Sequence, residues 1–190
     1  MRVEEAYKCI KDASNCDYGR FFSPGDSLAL GKGKVFDEIL YPFFSNEDKV
    51  YMTVSGLVYV LTHECDVEAL NQRIFNEDIL ISPIIPLESL IDAYLEQSTE
   101  ENLKGFLSNL GARNISRLLY LPPINQSLPF GGVMFLNQIS HSHVSVFDPA
   151  NSKAAVTGYG LSIIEYILEN HLLRPKADRL AFVPEDFNKG

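Results

Sequence analysis

Four consecutive residues, His63-Glu64-Cys65-Asp66, form the densest group of reactive side chains in the sequence. They follow residues 56–62 (GLVYVLT), a β-branched and aromatic run that has the pattern of a strand buried on both faces. A rigid scaffold presents reactive groups at such strand ends. A Cys65 thiolate with His63 as its base could serve as a nucleophile beside Asp66, or His63, Cys65 and Asp66 could contribute metal ligands. The competing interpretation is a polar turn: Asp66 caps the next segment, Cys65 packs as a small hydrophobe and His63 is solvated.

Three further groups carry chemical potential. His141 and His143 are one residue apart, so on a strand both point to one face, a spacing that suits two metal ligands or an ordinary Ser-rich exposed turn. Arg113 and Arg117 flank Asn114 and Ser116 and could grip a phosphate or pair with surface acids. Phe21, Phe22, Tyr41, Phe43 and Phe44 make the first third aromatic-rich, as core or as a base-stacking or partner-binding patch. Gly31-Lys32-Gly33-Lys34 lacks the GxxxxGK[ST] spacing of a phosphate-binding loop. Cys9, Cys16 and Cys65 contain no CxxC pair, which fits a reducing compartment better than a disulfide framework or a structural zinc site. No cofactor is expected.

The elements that must position these residues follow from periodicity and punctuation. Val3, Ala6, Tyr7, Ile10 and Ala13 have helical spacing within residues 2–13. Pro24-Gly25-Asp26 is a break before a strand over residues 27–30, and residues 35–44 (VFDEILYPFF) fit a strand or a short helix. Residues 79–85 (ILISPII) contain Pro83, which predicts an edge strand or a bulge there. Pro86 opens a helix bearing Leu87, Leu90, Ile91, Tyr94 and Leu95 on one face. Ser98-Thr99-Glu100-Glu101 is a capping signature for a second helix that Gly111 stops. Strands are expected at 116–121, 132–138 and 143–147, then a helix over 158–173 closed by Pro175, and an extended tail able to dock Leu180, Phe182 and Val183.

The 190 residues carry a formal net charge of −9, with 46% hydrophobic and 22% charged residues, values of a compact globular chain. Residues 57–110 hold ten acids against Arg73 and Lys104, a net of −8 on an otherwise near-neutral body. This block is a solubilising face or a docking surface for a protein partner. Nucleic acid is not favoured, because phosphate-backbone affinity comes from Lys and Arg. No apolar run approaches the ~20 residues of a membrane helix, and residues 1–10 lack a secretory signal pattern, so a cytoplasmic protein with no membrane contact is expected.

The order of these elements resembles the PemK/MazF-like toxin fold, a small SH3-like barrel with a C-terminal helix. The matching segments are Gly25-Asp26-Ser27-Leu28, residues 56–62, Ile81-Ser82-Pro83-Ile84 and residues 133–146, with 159–173 as the closing helix. The resemblance spans roughly 25–85 and 115–173. Members that cut RNA use an Arg with a Ser or Thr at the scissile phosphate. The central-strand Arg has no counterpart in residues 51–56 (YMTVSG), and only Arg117 and Thr62 carry over. The resemblance thus implies a single α+β domain: a small SH3-like β-barrel (25–85 and 115–158) with an inserted helical hairpin (86–114) and a C-terminal helix. Its expected role is an interaction or accessory subunit of a bacterial toxin–antitoxin or anti-phage assembly. Two alternatives stand beside it: a nuclease using Arg117 with Thr62, His63 or Cys65, and a metal-dependent enzyme built from His63, Cys65, His141 and His143.

Overall fold

The computed structural model describes residues 1–23, 30–45, 48–67 and 77–173. The expected Gly25-Asp26 opening, its strand from Ser27, and the tail with Leu180, Phe182 and Val183 lie outside the described residues. In chain order the elements are α1 (Val3–Ala13), β1 (Phe22–Ser23), β2 (Lys34–Ser45), β3 (Val50–Val60), a single turn α2 (Glu64–Val67), β4 (Asp78–Pro86), α3 (Leu87–Leu95), α4 (Glu100–Gly111), β5 (Leu118–Leu121), β6 (Gly132–Phe135), β7 (Ser140–His143), β8 (Ser152–Val156) and α5 (Gly158–Leu173). The protein is α+β, with antiparallel strands ordered β1-β8-β2-β3-β4-β6-β5 and β7 also on β4. Among the described residues the ladder order does not return to its start, so the strands form a curled sheet whose pairing is not closed.

β4 is a central strand, contrary to the edge position expected from Pro83. One of its edges pairs with β3, through Val58↔Pro83 to Val60↔Ile81. The other pairs first with β7, through Asp78↔His143 to Ile81↔Ser140, and then with β6, through Ile84↔Met134 to Pro86↔Gly132. Leu61 N–H donates to the Leu80 carbonyl, so even-numbered residues of β4 turn their backbone groups to β3 and odd-numbered ones to the opposite edge. Pro83, which has no N–H, therefore faces the gap between the β7 and β6 ladders, where a 3-10 turn at Leu136–Gln138 interrupts pairing. The interruption expected of Pro83 is built into its partner.

Three apolar clusters hold the layers together. The first lies between the sheet and α5, around Tyr59, Leu121, Met134 and Ile164. In the second, α1, α3 and α4 pack on β5 and β6 through Ile10, Leu87, Leu103, Leu107 and Val133. Residues 86–114 are thus part of a helical layer with its own share of the core. Gly111 belongs to α4 itself, and a Cβ there would stand 2.3 Å from the Ile10 carbonyl, so glycine is needed for the approach of α1. The left-handed residue after the helix is Arg113 (φ 62°). The third cluster fills the curl of β2, β3, β4 and β7 with Phe36, Ile39, Val58, Ile79 and Ile81.

The sheet curls because β2 changes register between Phe36 and Ile39, where Glu38 adopts a left-handed φ of 59°. The C-terminal half of β2 then comes beside β7. There Ser142 Oγ donates to the Leu40 carbonyl (2.5 Å) and Ser140 Oγ to that of Pro42 (3.4 Å). Beyond this point β2 and β3 continue as an arm whose residues Val50 to Thr53 are exposed on both faces.

Candidate functional site

The His63-Glu64-Cys65-Asp66 turn does stand at the end of β3, as α2 and the residue before it. Its hydrogen bonds are those of a cap. Cys65 N–H donates to His63 Nδ1 (3.2 Å), which places the imidazole proton on Nε2, and Asp66 N–H donates to the His63 carbonyl (2.9 Å). His63 and Cys65 are exposed and Asp66 is half-buried. The turn is pressed against Gly31, where a Cβ would fall 2.7 Å from Glu64 Cβ. Thr62 Oγ1 accepts the Leu80 N–H at 2.7 Å and so continues the β3–β4 pairing by one residue.

Arg117 lies elsewhere. It is exposed at the start of β5, with its carbonyl accepting Leu136 N–H. Two strands, β6 and β4, stand between β5 and β3. At about 4.8 Å per strand the separation from Thr62 is on the order of 14 Å along the sheet. The arrangement does not bring this pair to one phosphate.

His141 and His143 are both exposed on the outer face of β7, opposite Leu80 and Asp78, as their spacing requires. His143 Nδ1 meets Ser145 Oγ (2.8 Å) and accepts the Ser145 N–H, while its Nε2 lies 3.7 Å from Glu77. His63, Cys65, His141 and His143 form no metal-binding group: among the described residues no three His, Cys, Asp or Glu side chains converge in that way.

A different site emerges from the tertiary structure. A groove of about 460 Å³ opens between the β2–β3 arm and the bend from β6 to β7. Its walls are Tyr41 to Phe44 of β2, Tyr51 of β3, Pro83 of β4 and residues 137–141. That volume is within the range of small-ligand and peptide pockets. Phe44 and Tyr51 are cross-strand neighbours on the arm, ring centroids 5.1 Å apart in an edge-to-face pair with an interplanar angle of 63°. Of the groove's lining residues Phe44, Tyr51 and Ile139 are exposed, Tyr51 by 78%, and Leu40, Val50 and Met52 are exposed elsewhere on the same strands. Solvent-exposed apolar groups gathered in this way mark interaction surfaces.

The polar groups of the groove are the Asn137 and Gln138 amides, Ser140, His141 and the Tyr phenols. Among the described residues no Lys, Arg, Asp or Glu lines it. Burial pushes the Tyr41 phenol above its usual pKa, so it is a neutral hydrogen-bonding group throughout the physiological range. Of these residues, Tyr41, Phe43 and Phe44 stood out in the sequence as members of an aromatic-rich third, Pro83 as a strand interruption and His141 as one of a histidine pair. Tyr51, Pro83 and the 137–141 run come from separate segments, and no spacing rule joins them.

No family model, curated protein or solved structure matches the chain.

Proposed function

We propose that the protein is a binding subunit that holds an extended, uncharged, proline-rich segment of a partner protein in the aromatic groove. The observation that carries this reading is the composition of the groove's described lining: Tyr, Phe and Pro rings with amide donors and no fixed charge among them. A polyproline II segment has no internal hydrogen bonds, so its carbonyls are available to the Asn137 and Gln138 amides, and it loses little entropy on binding. Aromatic rings pack against its proline faces. A polyanion finds no cation in these walls and meets a chain of net charge −9. The PemK/MazF resemblance supplies the setting of the proposal, an accessory subunit in a bacterial toxin–antitoxin or anti-phage assembly. No comparable observation favours the nuclease alternative, since the Thr62 hydroxyl is engaged with Leu80 and two strands separate it from Arg117.

The test is a heteronuclear NMR titration with acetylated, amidated decaproline, and in parallel with hexauridylate. Saturable shifts at Tyr51, Asn137 and Gln138 are expected with decaproline, and their loss is expected in the Phe44→Ala/Tyr51→Ala variant. No shifts with decaproline at millimolar concentration would overturn the reading. So would hexauridylate binding in the groove, or RNA cleavage by the isolated chain that disappears on Arg117→Ala.

A further inference from the structure

The outer edge of β3 leads beyond the groove. β3 is paired with β4 only from Val58 to Val60, whereas its pairing with β2 continues to Val50. Along residues 50–57 the edge away from β2 has no ladder partner among the described residues. Which backbone groups lie on that edge follows from alternation. Leu61 N–H points to β4 and the Val60 carbonyl accepts Gly33 N–H on the β2 side. The register shift in the β2–β3 ladder adds its extra residue to β2, so β3 alternates without interruption. Tyr51, Thr53 and Ser55 therefore turn N–H and C=O outward. Pro42 lies opposite Thr53, as expected where that pair exchanges no ladder hydrogen bonds.

Natural edge strands are commonly blunted by lysine, proline or a bulge. This edge has none of them. Residues 50–62 (VYMTVSGLVYVLT) contain no charged residue and no proline, and β-branched and aromatic types dominate. Val50, Tyr51 and Met52 are 50%, 78% and 41% exposed and Thr53 and Ser55 are exposed too, while Val54 and Gly56 are half-buried.

We propose that this edge pairs antiparallel with the same edge of a second copy, about a two-fold axis through Thr53. The edge complements itself in this register. Thr53 meets Thr53 of the second copy, Tyr51 meets Ser55, and these three pairings each exchange two backbone hydrogen bonds. On the other face Met52 meets Val54 and Val50 meets Gly56, so apolar side chains lie against one another and no charge is buried. Seven paired residues make a seam about 23 Å long and about 10 Å deep. That footprint is roughly 230 Å² per copy, a total well below the about 1,000 Å² of a stable specific interface, so backbone hydrogen bonds carry most of the contact. The dimer is thus expected to be reversible, dissociating at micromolar concentrations. Because the axis is normal to the joined sheet, the two aromatic grooves open on the same side, where one partner with two segments gains avidity.

Sedimentation velocity of the full chain between 1 and 200 μM tests the pairing. Wild type is expected to pass from monomer to dimer over this range. Thr53→Lys and Thr53→Glu each place like charges directly opposite across the axis and should each weaken the dimer at least tenfold. An equimolar mixture of the two variants should restore it, because Lys then faces Glu only in this register. A wild-type chain that stays monomeric at 200 μM, a dimer that persists in both variants, or a mixture that fails to reassociate while both variants retain the wild-type circular dichroism spectrum would each overturn the proposal.

Discussion

Raising the pH above 10 should unfold this protein through its buried tyrosines. Tyr59 is fully buried and Tyr120 is 3% exposed. Burial pushes both phenols well above their ordinary value of 10.0, and the Tyr120 hydroxyl also donates to the Phe130 carbonyl at 2.8 Å. Tyr18, less deeply placed, is pushed up to about 12, mainly by burial. The folded state keeps these protons after the unfolded chain has begun to release them. Their contribution is complete below pH 10 and is lost as the pH rises toward the folded values. At pH 11 the unfolded form of each fully neutral tyrosine gains RT ln 11, about 1.4 kcal/mol, so Tyr59 and Tyr120 together cost about 2.8 kcal/mol. With a urea slope of about 2 kcal/mol/M, the unfolding midpoint should fall by about 1.4 M between pH 8 and pH 11. Tyr18 adds a smaller share. The assay is urea denaturation followed by far-ultraviolet circular dichroism at both pH values, alongside tyrosinate absorbance at 295 nm. In Tyr59→Phe/Tyr120→Phe the midpoint shift should shrink to the remaining share. A shift equal in the wild type and the double variant would refute the assignment of the alkaline loss to these two rings.

At neutral pH, Tyr59→Phe alone should raise stability by about 1 kcal/mol, since its buried hydroxyl has no hydrogen-bond partner among the described residues; an unchanged or lowered urea midpoint would contradict this. Gly111→Ala should destabilise by about 1–3 kcal/mol despite the better helix propensity of alanine, because the new Cβ collides with the Ile10 carbonyl and α1 must move, which thermal unfolding reads directly. Ser142→Ala removes the hydroxyl that ties β7 to the Leu40 carbonyl; a loss of about 1 kcal/mol and faster amide exchange across residues 40–45 are expected.

The helices were legible because their information is local. The period of apolar residues and the Thr99 cap, whose hydroxyl accepts Asn102 N–H, place α1, α3, α4 and α5 within a residue or two of expectation. Strand boundaries were less accessible. β7 begins at Ser140, three residues before the expected 143–147 segment, which instead forms a 3-10 turn at Val144–Val146. β8 (Ser152–Val156) and the short β1 were missed because each exists through its ladder with a distant strand. β3 starts at Val50, six residues before its buried half, since its first half is held by β2 and not by burial.

The site divides along the same line. The amino-acid order by itself determined the net charge of −9, the absence of charge from residues 50–62, the helix spans and the adjacency of His63, Glu64, Cys65 and Asp66. Only the tertiary structure decided that this turn is a capped strand end, that two strands stand between Arg117 and Thr62, and that Tyr41, Tyr51, Pro83 and Asn137 share one groove. The physical reason is the range of the forces involved. Propensity, capping and charge act within a few residues, whereas the curl that forms the groove depends on a register shift in β2, a proline in β4 and serine hydroxyls in β7 acting together across about a hundred residues of chain.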